Sequence, residues 1–139
     1  MRDIMLELDS WISEGQDVAL ATVVSTWGSA PRAVGAKMAL TASGKMCGSV
    51  SGGCVEGAVV EAAKQVFISG LPNLLEFGVT DDTAWDVGLA CGGTISVFLQ
   101  LLNADIFRAI RTSDNERLAI LTVINGSENL LGRQVVVAD

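Results

Sequence analysis

The chain of 139 residues contains no histidine and no tyrosine. Without histidine it cannot by itself form a Ser–His or Cys–His nucleophile pair, or a metal site with histidine ligands. Chemistry supplied by its own side chains therefore falls to thiol, carboxylate, hydroxyl, amine or guanidinium groups, and to backbone amides. No residue is predicted to be catalytic.

The chain also lacks a long apolar run and a surplus of basic residues. Its longest apolar stretches, Val18–Val24 and Ile95–Leu102, fall far short of the roughly 18–20 residues that span a bilayer. Acidic residues interrupt the N-terminal segment where a secretory signal needs an apolar core. A net charge of −7 and a pI of about 4.4 argue against general binding to nucleic acid or anionic membrane. We predict a cytoplasmic protein without membrane insertion or nucleic-acid binding.

Cysteine is scarce as well. Cys47, Cys54 and Cys91 are an odd number with no CxxC spacing, which is typical of thiols in a reducing compartment and not of a disulfide framework. Three cysteines at long spacing, without histidine, also argue against a structural zinc site.

Half of the residues are hydrophobic and the mean hydropathy is +0.45, so the chain can bury a core, and its length fits one domain, 1–139. Helical spacing of apolar residues predicts three helices: Ile4–Ile12, one from near Cys54 or Val55 to Gly70, and Ala104–Arg111 with Asn103 as its N-cap. Short apolar runs predict strands at Val18–Ser25, Lys37–Thr41, Lys45–Val50, Leu74–Thr80, Ile95–Leu102, Arg117–Ile124 and Arg133–Ala138. The predicted class is α/β (mixed α+β): a single layered domain with a mixed β-sheet and about three helices.

Three glycine-rich loops separate these apolar elements: Gly28–Gly35, Gly48–Gly57 and Gly88–Thr94. In the second loop, Ser51, Gly52 and Gly53 precede a helix, and free N–H groups at a helix start can hold an anion. Cys54 is expected in the first helical turn, where a thiolate is favoured. The alternative is a tight packing turn around a small buried cysteine.

Two further cysteines differ in setting. Cys91 lies before Gly92 and Gly93 in the third loop, where either an exposed functional thiol or a packed cysteine is possible. Cys47 falls within a predicted strand, which favours packing.

Charged and aromatic residues flank the glycine loops. Arg32 and Lys37 beside the first loop are candidates to neutralise a phosphate, or are solvated surface charges. Glu56 could act as a base, orient a ligand or complement the helix dipole. Trp27 and Trp85 could stack on a flat ring, with burial in the core slightly favoured. Asp81, Asp82 and Asp86 lack the spacing of a calcium loop, and a cap by Asp82 is preferred.

Four segments in order carry a resemblance: Gly28–Arg32 (GSAPR), Gly35–Met38 (GAKM), Gly48–Glu56 (GSVSGGCVE) and Gly88–Thr94 (GLACGGT). Together they resemble the XdhC/CoxI family, and the likeness extends over about Ile4–Leu102. The family comprises accessory factors of molybdenum hydroxylases such as xanthine dehydrogenase. Some members bind molybdenum cofactor, support its sulfuration with a cysteine desulfurase and help to insert it into the apoenzyme.

The resemblance implies a molybdenum cofactor (molybdopterin) site, bound transiently, built from the motif loops. The residues it points to are Arg32, Lys37, Ser51, Gly52, Gly53, Cys54, Glu56, Cys91, Gly92 and Gly93. Cys54 and Cys91 would contact molybdenum or sulfur, and Trp27 or Trp85 would stack on the pterin. The implied partners are a molybdenum hydroxylase apoenzyme, a cysteine desulfurase and further copies of the chain in a homo-oligomer.

Longer family members carry a second, Rossmann-like domain, so the chain is expected to be a short member or an N-terminal fragment. Residues 4–102 would hold the core motifs, and residues 103–139 would complete the domain or lead to the missing one. The leading function is that of a cofactor chaperone without turnover. Two alternatives are a thiol enzyme that transfers sulfur or electrons through Cys54 or Cys91, and a non-catalytic interaction module.

Overall fold

The computed structural model of the chain describes residues 1–30, 32–78, 93–113 and 117–138. The fold divides into two compact units, Met1–Leu101 and Leu102–Asp139. The boundary lies beside the end of the predicted core-motif region. That residues 103–139 complete the same domain stays a prediction. Within the described ranges, no helix is long and apolar enough to cross a membrane.

The first unit is built on a five-stranded sheet. Its strands are β1 (Val18–Trp27), β2 (Lys37–Thr41), β3 (Met46–Gly48), β4 (Asn73–Phe77) and β5 (Thr94–Leu101), in the order β3–β2–β1–β5–β4. Two helices belong to the same unit, α1 (Met5–Ser13) and α2 (Glu56–Ser69). The predicted α+β class is confirmed, and the second unit supplies the third helix.

Every described strand pair is antiparallel, so the expectation of a mixed sheet is wrong. The reason lies in the connection through α2. This helix joins β3 to β4, and these two strands run in the same direction, but they occupy opposite edges of the sheet. The neighbours of β1 therefore both run against it, and no parallel pair forms.

The core of this unit lies between the sheet and α2. Residues at alternate positions of a strand point to the same face, and one face of β1 contributes Ala19, Ala21 and Val23 to the main buried cluster. From the helix, Val59, Ala63 and Val66 enter the same cluster. Burial of this apolar surface is the principal term that holds α2 on the sheet.

Helix ends follow the sequence signals. Gly70 adopts φ 72° after α2, and its amide donates to the Val66 carbonyl, which is the left-handed stop that glycine permits. The predicted β2–β3 hairpin is also confirmed, with Met38 opposite Gly48 and Leu40 opposite Met46.

The second unit contains α3 (Ala104–Thr112), β6 (Leu118–Thr122) and β7 (Gln134–Ala138). The predicted N-cap is confirmed, because the Asn103 Oδ1 accepts from the amides of Asp105 and Ile106 at 3.0 and 3.1 Å. The two strands pair with each other, Leu121 opposite Val135. Both of those side chains are exposed on one face of the ribbon.

Candidate functional site

Two of the glycine loops meet at one end of the five-stranded sheet. The β1–β5 register sets Trp27 opposite Thr94, so the loop after β1 begins beside the residue that precedes β5. Gly93 is buried there, and a Cβ on it would lie 2.5 Å from the Ser29 carbonyl oxygen. Only glycine fits at that distance.

The loop after β3 starts at the same end of the sheet. Met38 lies opposite Gly48, and the Ser49 amide donates to the Lys37 carbonyl oxygen at 3.0 Å. A Cβ on Gly48 would overlap that same carbonyl oxygen, and the residue has φ 74°. The antiparallel order therefore gathers the predicted motif loops, as far as they are described, at one end of the sheet.

The segment between β3 and α2 is held by its own hydroxyl groups. The Ser49 Oγ accepts from the Gly52 amide at 2.7 Å, and the buried Ser51 Oγ accepts from the Val55 amide at 2.9 Å. Gly52 and Gly53 adopt φ 73° and 120°, a region that favours glycine. These angles let the chain turn while its amides point inward.

The Glu56 carboxylate fills the centre of this turn. Its Oε1 accepts from the Ser49 hydroxyl at 2.8 Å and from the Val50 and Ser51 amides at 3.1 and 2.9 Å. Its Oε2 accepts from the Ser51 hydroxyl at 2.5 Å and from the Gly53 amide at 2.9 Å. We call residues Ser49–Glu56 the carboxylate-centred loop.

The electrostatics of the loop favour the ionised acid. Burial alone would raise the pKa of Glu56, but hydrogen bonds from Ser51 and Ser49 outweigh burial and lower that pKa to about 2. Glu56 is therefore a carboxylate at any physiological pH, with both oxygens engaged.

This arrangement bears directly on the predicted anion cradle. The Ser51 and Gly53 amides, which the sequence assigns to a phosphate or oxo group, already donate to Glu56, and the Gly52 amide donates to Ser49. An anion does occupy the cradle, and it is a side chain of the protein itself. A phosphate could reach these amides only by displacing Glu56.

Cys54 lies at the exposed tip of the same loop, with Gly52 and Gly53 exposed before it. The helix begins at Glu56, with Val55 as its N-cap, so Cys54 precedes the first turn instead of lying within it as expected. The cause is the Val55 amide, which donates to Ser51 and not to a helical carbonyl. Cys47 is half-buried in β3, as predicted, and burial raises its pKa.

Other predicted residues lie on the opposite face of the sheet. Met38 belongs to the α2-side cluster, so Lys37 next to it in the strand faces away from α2. A β-bulge at Val24 shifts the register of β1 and turns Trp27 to that same far face. Trp27 is 74% exposed, so the preference for core burial was wrong.

The two predicted cations differ in environment. The Lys37 ammonium is half-buried and donates to the Thr22 hydroxyl at 2.8 Å, and burial lowers its pKa. Arg32 is exposed. Of the two, Arg32 presents its charge to solvent, whereas Lys37 uses one of its three donors inside the sheet.

Part of the predicted site lies outside the described residues: Trp85, Asp81, Asp82, Asp86, Cys91 and Gly92. Among residues that are described, no group of three or more cysteine, aspartate or glutamate side chains could hold a metal ion.

The role of Glu56 as the internal anion is the feature that sequence reasoning missed. A carboxylate three residues after Gly53 matches the distance over which a capping-box glutamate reaches back to an amide. Serines at 49 and 51 were the additional signal, because their hydroxyls point at the same carboxylate.

Comparison with known proteins gives a consistent picture. Residues 11–78 match the model of the XdhC and CoxI family. That range contains three of the four motif segments, including the whole carboxylate-centred loop.

Two curated bacterial proteins are similar in sequence. The molybdenum cofactor insertion chaperone PaoD of Escherichia coli K12 is 36% identical over 94 residues, which cover 67% of this chain and 29% of that protein. A probable xanthine dehydrogenase subunit from Bacillus subtilis 168 is 31% identical over 100 residues, covering 70% and 30%. The chain thus spans less than a third of the length of these relatives.

The fold also has a solved counterpart. A crystal structure described as a xanthine dehydrogenase from Bacillus halodurans superposes with a TM-score of 0.77 at 23% identity, over 97% of this chain and 42% of that one. At this level of identity, the likeness shows the shared fold alone.

Proposed function

Because this chain belongs to the XdhC and CoxI family, we propose that it is a cytoplasmic, non-enzymatic accessory protein that binds molybdenum cofactor and assists its insertion into a molybdenum hydroxylase. The similarity to PaoD over 94 residues supports this function. A cysteine desulfurase partner would supply the sulfur for sulfuration of the cofactor, and a homo-oligomer is part of the same proposal.

The chemistry of the described residues fits part of this cofactor. Its pterin suits an exposed aromatic ring such as Trp27, and its phosphate suits the solvent-exposed guanidinium of Arg32. Molybdenum and sulfur suit the exposed thiol of Cys54. When bound, the cofactor would supply the metal and the dithiolene; the chain would bind, orient and release it.

The observation that carries the proposal is the exposed Cys54 at the tip of a hydrogen-bonded loop within the family-matched residues. Gly52 and Gly53 beside it have no side chains, so the thiol is the one reactive group that this tip presents. Lys37, Ser51, Gly52, Gly53, Cys91, Gly92 and Gly93 stay in the proposed site as the residues that shape it.

Anaerobic cofactor retention tests this function. The chain is mixed with molybdenum cofactor released from a molybdenum enzyme, desalted and oxidised, and bound pterin is measured by fluorescence. We expect retention by the wild type, loss in Cys54→Ala and no change in Cys47→Ala, because Cys47 is half-buried in β3. Equal retention by both cysteine variants would contradict a contact with Cys54.

The exposed thiol also favours a second candidate, a sulfur-transfer enzyme that carries sulfur on Cys54. This alternative predicts that Cys54 becomes a persulfide when the chain meets a cysteine desulfurase and cysteine. Mass spectrometry of the Cys54 peptide, with Cys47 as internal control, would detect the added sulfur. Persulfide on neither cysteine would remove this candidate.

A further inference from the structure

The two oxygens of Glu56 collect donors from the whole carboxylate-centred loop. Hydroxyls at both ends of the Ser49–Ser51 stretch and three backbone amides converge on one carboxylate. Charge-assisted hydrogen bonds of this kind are about twice as strong as neutral ones. A ligand anion placed at the same amides would face a carboxylate that has nowhere else in the loop to go.

Cys54 stands between two anchored amides. The Gly53 amide donates to the Glu56 Oε2, and the Val55 amide donates to the Ser51 Oγ, which itself donates to the Glu56 Oε2. The backbone on each side of the thiol is therefore tied, directly or through one hydroxyl, to the same oxygen. Without that oxygen, two consecutive glycines would leave Cys54 on a loop with wide conformational freedom.

We propose that Glu56 is a positioning residue, which acts as the permanent internal anion of this loop and fixes the backbone around Cys54. It is not a ligand of the cofactor. The inference rests on the proposed function for its consequence, which is tight cofactor capture by a pre-organised thiol. The hold of Glu56 on the loop can be measured without any cofactor.

The matched substitutions are Glu56→Gln and Glu61→Gln. Both are on α2, but Glu61 is exposed and pairs only with Lys64 in an exposed i,i+3 salt bridge. In Glu56→Gln one oxygen becomes an NH₂ group, which cannot accept from the Gly53 amide. We expect hydrogen exchange at the Gly53 and Val55 amides to rise about tenfold or more, while exchange at the Val59 and Val66 amides within α2 stays within about twofold.

Cofactor retention is measured on the same two variants under conditions where both are folded. We expect Glu56→Gln to lose about tenfold in retention and Glu61→Gln to match the wild type. Unchanged exchange at Gly53 and Val55 would overturn the inference. Raised exchange with undiminished retention would overturn it too, because the loop would then be ordered for a reason unrelated to capture.

Chemical rescue separates positioning from a general structural role. Glu56→Ala leaves the converging donors without their acceptor, and added acetate is expected to restore both Gly53 protection and retention, whereas chloride at equal ionic strength is not. Retention of Glu56→Ala above the wild type would mean that the cofactor's own anion takes the cradle, which contradicts the inference. If Glu56→Ala fails to fold, Ser49→Ala, which removes one donor to Oε1 and the acceptor of the Gly52 amide, provides the milder test by exchange.

If the wild type retains no cofactor, the proposed function fails, and the exchange and acetate results still decide whether Glu56 fixes the loop. The two failures are therefore distinguishable.

Discussion

The carboxylate-centred loop and the loop that follows β1 lie at the same end of one sheet, and both are rich in glycine. In the first, the glycine amides and serine hydroxyls bond to Glu56, and Ser51 is 1% exposed. In the second, Trp27 is 74% exposed and Arg32 faces solvent. Glycine content is therefore a poor guide to ligand contact. The better guide is which polar groups a loop has already paired internally.

If this comparison is right, substitutions in the carboxylate-centred loop should cost stability, whereas those in the loop after β1 should affect binding alone.

The largest cost is expected at Gly48, where the carboxylate-centred loop leaves β3. In Gly48→Ala, the new Cβ would overlap the Lys37 carbonyl oxygen at a residue with φ 74°, and we expect a loss of about 3 kcal/mol in unfolding free energy. The matched control is Gly44→Ala in the β2–β3 turn, with φ 96° but no atom within 4 Å. There we expect about 1 kcal/mol. Urea denaturation measures both, and equal costs would show that the overlap relaxes freely.

Removal of the internal anion comes next. Glu56→Ala should lower the unfolding free energy by about 2 kcal/mol, since the Val50 and Ser51 amides lose a charged acceptor in a partly buried site. Glu61→Ala should stay within about 0.5 kcal/mol, because its salt bridge is exposed. A loss no larger than that of Glu61→Ala would mean that water replaces the carboxylate at little cost.

The same loop should give the protein a characteristic dependence on pH. The pKa of Glu56 is about 2 in the fold against an ordinary value of 4.5, so its stabilisation is complete above pH 4.5 and is lost as the pH falls toward 2. The full shift corresponds to about 3 kcal/mol, which solvent screening of this half-buried group reduces to about 1–2 kcal/mol. The wild type should therefore converge on Glu56→Gln as the pH falls through this range. A constant difference between the two proteins would contradict this.

The sequence predicts most of this fold, because periodicity and turn residues are local signals. The helix stop at Gly70, the N-cap at Asn103 and the β2–β3 hairpin all follow from neighbouring residues. Strand order does not, since it depends on which edges the α2 connection reaches. The face taken by Trp27 depends on one extra residue at Val24, which alternation alone cannot reveal.

The candidate site divides in the same way. The exposed Cys54 and the polar, glycine-rich nature of its loop could be inferred from residue types. The occupancy of the cradle could not, because it requires knowledge of where the Glu56 side chain points among five competing donors. A motif shows that amides are available for an anion; only the geometry shows that the chain provides that anion itself.

The smallest effect on stability is expected in the loop after β1, where it sharpens the comparison most. Trp27→Ala removes a side chain that is 74% exposed, so the unfolding free energy should change by less than about 0.5 kcal/mol. If this loop keeps its groups free for a flat heterocycle, pterin retention should still fall by about fivefold to tenfold, the range of a lost aromatic stacking contact. Trp27→Phe, which keeps a ring, should recover most of that loss. A stable Trp27→Ala protein with full retention would show that exposure at this end of the sheet does not mark the binding surface, and the distinction between the two loops would then be one of stability alone.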